Sequence, residues 1–125
     1  MIKRLKDLSI LVVDDEKELR DLLAEQLQNE GAILYRAGDV ASAIAIVKGE
    51  KIDLILSDIL MARGDGIELL KKVKQLPYQP KVILMTGFSR YTLDELKGLG
   101  SVAVLTKPFE LSDLVQEIGR LNFNP

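Results

Sequence analysis

The chain contains no cysteine and no histidine. The first absence excludes disulfides, thiolate catalysis and cysteine-ligated metals, and is compatible with a reducing compartment. The second removes the usual general base, the Ser-His-Asp arrangement and the commonest zinc ligand together. An excess of positive charge is missing as well: the formal net charge is -2, which offers no basic stripe, so no direct nucleic-acid partner is expected. No apolar run reaches membrane-spanning length, and the basic opening Met1-Ile2-Lys3-Arg4-Leu5-Lys6 lacks the apolar stretch of a signal peptide. It reads as a solvated lead-in to a first strand, and the protein as cytoplasmic with no membrane partner. Chemistry is left to carboxylates, hydroxyls, lysine, arginine and a hard metal.

What is present is a globular balance. Hydrophobic residues make up 47% and charged residues 29% of 125, a size and composition expected of one domain spanning 1–125. Five apolar runs alternate with five helical patterns. Strands are expected at Leu8 to Val13, Ala32 to Ala37, Ile52 to Ser57, Lys81 to Met85 and Val102 to Leu105. Between them, helical spacing joins Leu19, Leu22, Leu23 and Leu27, then Ile44 and Val47, then Ile67, Leu70 and Val73, then Leu93, Leu96 and Leu99. A last helix carries Leu111, Leu114, Val115, Ile118 and Leu121. Asp15 with Glu18, Asp39, and Asp65 before Gly66 stand where helices are capped, and Gly31 where one ends. Strands that alternate with helices imply an α/β fold, a doubly wound five-stranded parallel sheet covered on both faces.

In the flavodoxin-like strand order 2-1-3-4-5, ligands bind at the carboxyl ends of strands one and three, where the order reverses. Asp14, Asp15 and Asp58 fall there. Three carboxylates in one crevice repel one another and raise each other's pKa unless a cation compensates. Mg²⁺ is the expected cofactor, because it prefers oxygen ligands and keeps several waters when few are offered. Thr86 and Lys107 end strands four and five on the same edge, and a hydroxyl and an ammonium are what a phosphoryl group requires of its surroundings. Taken singly, each of these residues is equally a helix cap, a turn hydroxyl or a solvated charge. Their joint placement on one sheet edge is what carries information.

Asp14-Asp15, Asp58 with Met61 and Asp65-Gly66 after it, Thr86-Gly87 and Lys107-Pro108-Phe109 together resemble the receiver domain of two-component response regulators. The resemblance runs from about Leu8 to Leu121. It implies that Asp58 is the phosphoacceptor, taking a phosphoryl group from a partner histidine kinase or histidine phosphotransfer protein. It implies that Asp14, Asp15, Asp58 and the Leu60 carbonyl hold Mg²⁺, that Lys107 pairs with a phosphoryl oxygen, that Thr86 donates its hydroxyl and that Gly87 leaves space. The Lys107-Pro108 bond is expected to be cis. The role implied is regulatory: the domain catalyses only its own phosphorylation and dephosphorylation, and switches binding of a downstream protein.

Departures from the family pattern carry expectations of their own. Ala62 stands where proline is usual, and Val104 where an aromatic switch residue is usual, which leaves the readout open. Leu60 and Phe88, two residues past Asp58 and Thr86, cannot orient an attacking water, so slow self-dephosphorylation is expected. Val102 and Val104 make either a partner or homodimer face or a strand covered by the last two helices, the second being preferred where both sheet faces are covered. No output domain follows Leu121, so a stand-alone shuttle and a domain of a larger regulator are both expected forms, with Asn122-Phe123-Asn124-Pro125 the start of a linker in the second.

Other classes fit less well. Gly98-Leu99-Gly100-Ser101-Val102-Ala103 matches a dinucleotide fingerprint but follows a helix and precedes a strand, the reverse of what that site needs. A flavin-binding relative would meet three acids, Asp14-Asp15-Glu16, where its phosphate loop belongs. An aspartate phosphatase would need its nucleophile on strand one. A receiver-fold binding module that works without phosphorylation is the remaining alternative.

Overall fold

The computed structural model describes residues 5–61, 65–87, 91–121 and 123. A 3-10 turn at Leu5–Asp7 leads into β1 (Ser9–Val13), α1 (Lys17–Asn29), β2 (Ile33–Ala37), α2 (Val40–Gly49) and β3 (Leu54–Asp58). These are followed by α3 (Gly66–Val73), β4 (Lys81–Thr86), α4 (Leu93–Gly98), β5 (Ala103–Thr106) and α5 (Leu111–Arg120). The strands pair in parallel in the order β2-β1-β3-β4-β5, as the alternation of elements requires.

The central strands are apolar except near their ends because both faces are covered, and their side chains divide with period two. Leu11, Val13, Ile55, Val82 and Leu84 meet α2, α3 and Leu96 of α4 on one face. Ile10, Val12, Leu56, Ile83 and Met85 meet Ala24 and Leu27 of α1 and Leu114 and Ile118 of α5 on the other. Each fully buried aliphatic side chain contributes about 1.5–3 kcal/mol of transfer free energy, which is what holds the layers. Val102 and Val104 are half-buried against these two cores, one on each face, so the sheet's terminal strand is partly covered.

Local chemistry sets the helix ends. Asp39 and Asp65 cap α2 and α3, accepting hydrogen bonds of 2.8 Å from the Ser42 and Glu68 amides. Gly31 adopts φ +99°, a left-handed conformation that glycine enters without steric cost, and donates its amide to Gln28 to end α1. The expected Asp15 and Glu18 pairing does not cap α1, whose N-cap residue is Glu16, without a side-chain cap bond.

Three other expectations change. On α1 the buried residues are Ala24 and Leu27, while Leu19 and Leu22 are exposed, because the sheet covers only part of a wide apolar stripe. Leu5 of the opening segment packs on the core formed with α1 and α5 instead of being solvated. Phe123, the start of a linker if the chain is a domain of a larger regulator, is buried in that same core. Ala62 and Phe88 lie outside the described residues.

Candidate functional site

β1 and β3 are neighbours, with β2 beyond one and β4 beyond the other, so a crevice opens at their carboxyl ends. Asp14 follows β1 directly and Asp58 is the last residue of β3. Both are carried into the interior by the apolar strands before them, and both are buried. Beyond Asp58 the Ile59 amide still pairs with the Met85 carbonyl at 3.1 Å, so the strand end is held in the sheet.

α3 begins tightly against that end. The Gly66 amide donates to the Ile59 carbonyl at 2.9 Å. A Cβ on Gly66 would lie 2.6 Å from the Asp58 carbonyl oxygen and 3.0 Å from the Ile59 Cα. Glycine is required here by the close approach of backbone, at a φ that other residues adopt.

Lys107 reaches the crevice from the end of β5. Its amide donates to the Thr86 carbonyl at 2.7 Å, and the Lys107-Pro108 bond is cis, as expected. The ammonium lies 3.0 Å from Asp58 Oδ2 and 3.7 Å from Asp14 Oδ2. One positive charge beside the two buried acids is thus supplied by the chain itself. Burial is the main influence that raises the Asp14 pKa; the Glu16 amide opposes it, Asp58 adds to it and Lys107 opposes it. Desolvation therefore outweighs the mutual repulsion of carboxylates that the sequence suggests.

Thr86 ends β4, beside Asp58 on β3. Its hydroxyl oxygen is buried and has no hydrogen-bond partner among the described residues, a state that costs about 1–3 kcal/mol when a group is left unsatisfied. Among the described residues, a Cβ on Gly87 would meet the Lys107 Cβ at 3.9 Å, an ordinary contact. Asp15 is exposed on the β1–α1 turn, and Leu60 is 61% exposed after β3. The structure therefore brings together Asp14, Asp58 and Lys107, with Thr86 at the adjoining strand end. Among the described residues no three acidic side chains converge closely enough to enclose an ion. The donor chemistry is nonetheless all oxygen, with two buried carboxylates, and fits a hard divalent cation rather than a soft one.

Two features have no motif to announce them. A cleft of about 410 Å³ opens beside Asp14 and Lys107, walled by Leu19, Leu22 and Leu23 of α1 and by Phe109. Arg20, on the first turns of α1, donates from Nη1 to the Asp14 carbonyl at 3.3 Å. The only hint of it in the sequence is a charge set among leucines of a helix that packs on the sheet.

Comparison with known proteins gives a consistent family. The family model described as the response regulator receiver domain matches residues 10–119. The regulatory protein VanRc of Enterococcus gallinarum is 38% identical over 87% of this chain, which spans only 47% of that relative's length. Sporulation initiation phosphotransferase F of Bacillus subtilis is 36% identical, with 84% of this chain and 86% of the relative covered. Among solved structures, the response regulator TrrA of Thermotoga maritima, in complex with Mg(2+)-BeF, superimposes with a TM-score of 0.80 at 30% identity, covering 90% of this chain and 97% of that one.

Proposed function

Because this chain belongs to the family of response regulator receiver domains, we propose that it is a phosphoacceptor switch in which Asp58 takes a phosphoryl group from a histidine kinase or histidine phosphotransfer protein. The observation that carries this reading is the Lys107 ammonium seated between Asp58 and Asp14, with the Thr86 hydroxyl, which has no hydrogen-bond partner among the described residues, at the adjoining strand end. A carboxylate oxygen of Asp58 bonds to phosphorus as the donor's P–N bond breaks, and the imidazole departs with the electron pair. With no histidine among these 125 residues, the donor histidine lies outside them. The Lys107 ammonium, already within 3.0 Å of Asp58, pairs with a phosphoryl oxygen, and Thr86 gains a partner for its hydroxyl.

Asp14, Asp15, Asp58 and the Leu60 carbonyl would hold Mg²⁺, which when bound supplies charge that one ammonium cannot. Asp14 and Asp58 carry two negative charges against one positive on Lys107, and an arriving phosphoryl group adds more. The Mg(2+)-BeF complex of the Thermotoga relative supports the same chemistry here. We read residues 1–125 as one cytoplasmic receiver domain that catalyses only its own phosphorylation and dephosphorylation, passing the result to a protein target.

Beryllofluoride, a phosphoryl mimic, tests this reading. Titrated with Mg²⁺, it is expected to shift amide resonances at Asp58, Thr86 and Lys107 and to raise thermal stability by binding the folded state. Omitting Mg²⁺, or substituting Asp58→Asn, is expected to abolish both effects. Absence of any response in the unsubstituted protein would favour a binding module that works without phosphorylation.

A further inference from the structure

We propose that Arg20 is a positioning residue for the acidic site, fixing the peptide that joins Asp14 to Asp15. This rests on the Mg²⁺-dependent reading above. The Asp14 backbone is held from two sides: its amide donates to the Ala37 carbonyl at 3.1 Å, and its carbonyl accepts from Arg20 Nη1 at 3.3 Å. The side chain then folds back, so that Asp14 Oδ1 accepts from the Glu16 amide at 2.9 Å while Oδ2 faces Lys107 at 3.7 Å. With the carbonyl fixed, the plane of the next peptide is fixed too, and with it the Cα positions from which both acids leave the chain.

Arg20 pairs with Asp21 as an ion pair but leaves part of its hydrogen-bonding capacity unmet. Its side chain is 18% exposed. Its Nε is buried with no hydrogen-bond partner among the described residues, and the Asp21 carboxylate, at 3.8 Å, is beyond hydrogen-bond reach. The neighbouring turn also makes room for it. A Cβ on Gly38 would lie 2.9 Å from Arg20 Nη1, and Gly38 has no positive φ to require glycine. A methyl at position 38 would therefore push the guanidinium aside. The head donates to the turn after β1, which carries Asp14 and Asp15, and lies next to the turn after β2.

Charge and positioning predict opposite signs. A guanidinium acting through space repels a divalent cation, so its removal would tighten Mg²⁺ binding. A guanidinium acting as a brace holds the carboxylates in place, so its removal weakens binding. The experiment is an amide-resolved NMR titration with MgCl₂ of the unsubstituted protein and of Arg20→Met, Arg20→Lys and Gly38→Ala. Glu16 amide exchange is measured on the metal-free samples. Expected is a rise in the Mg²⁺ dissociation constant of about 10-fold or more for Arg20→Met. Gly38→Ala, whose methyl displaces the guanidinium, is expected to behave alike, and Arg20→Lys to stay within about twofold to threefold of the parent. The Glu16 amide is expected to exchange several times faster in the first two.

Folded Arg20→Met and Gly38→Ala proteins with unchanged or tighter Mg²⁺ binding and unchanged Glu16 exchange would overturn the assignment. If Arg20→Met does not fold, Gly38→Ala decides, since it retains the arginine. If the unsubstituted protein shows no saturable response to Mg²⁺, it is the metal-dependent reading that fails. Glu16 exchange then still judges Arg20.

Discussion

Leu60 is the large apolar residue most exposed among those described, at 61%, and it stands two positions beyond Asp58. A branched hydrocarbon there offers no hydrogen bond to a water approaching an acyl phosphate on Asp58. By the family pattern that assigns positions 60 and 88 to the attacking water, Leu60→Asn combined with Phe88→Glu is expected to supply it with an amide and a carboxylate. The expected outcome is an acyl-phosphate half-life shorter by about tenfold or more, the scale of a single well-placed proton acceptor. It is measured by following the decay of the labelled phosphoprotein in Mg²⁺ buffer. An unchanged half-life would mean that these positions do not govern the water.

At the scale of elements, α4 is short and shallow: Leu96 is its buried residue, Leu93 is exposed, and its start depends on a reciprocal cap. Thr92 Oγ1 accepts from the Glu95 amide at 3.1 Å while Glu95 returns a carboxylate to the Thr92 amide at 3.0 Å. Thr92→Ala is expected to cost about 1 kcal/mol locally, seen as roughly fivefold faster amide exchange around Leu96 and Leu99, with little change at β1. The cap is legible as Thr92-x-x-Glu95 in hindsight, whereas the three leucines suggest a longer buried face than α4 has. The strands and their ends were readable because a run buried on both faces needs no partner to be recognised, and Asp14, Asp58 and Thr86 stop such runs abruptly. The burial of α1 was not readable, because which part of its leucine stripe meets the sheet depends on how the helix docks. For the same reason the Arg20 contact and the return of Phe123 to the core have no local signature: both are set by segments distant in sequence.

At the scale of the whole molecule, the ends of the sheet opposite the acidic site are tied by Tyr78, whose hydroxyl donates to the Ile52 carbonyl at 2.5 Å. Burial, and then the Asp53 charge, raise the Tyr78 pKa above its ordinary 10.0. Between 10.0 and that raised value the unfolded chain loses a proton that the folded chain keeps, so stability is whole below this window and falls as pH rises through it. Tyr78→Phe is expected to cost about 0.5–1.5 kcal/mol near neutrality and to remove this alkaline loss, as urea denaturation across the pH range would reveal.

Gly66 has a consequence for how tolerance to substitution would be distributed along the chain. In a saturation library scored for signalling, position 66 would reject every side chain, since even a methyl carbon would lie 2.6 Å from the Asp58 carbonyl oxygen. An added methyl there is expected to cost about 1–3 kcal/mol through displaced backbone and to move the Asp58 carboxyl with it. Gly98, with nothing within 4 Å of its missing Cβ, is expected to accept alanine with a gain of about 0.4–1 kcal/mol. A map of such scores would mark Gly66 as strongly as Asp58, although it contributes no functional group. Its intolerance would record the distance between a helix and a strand end.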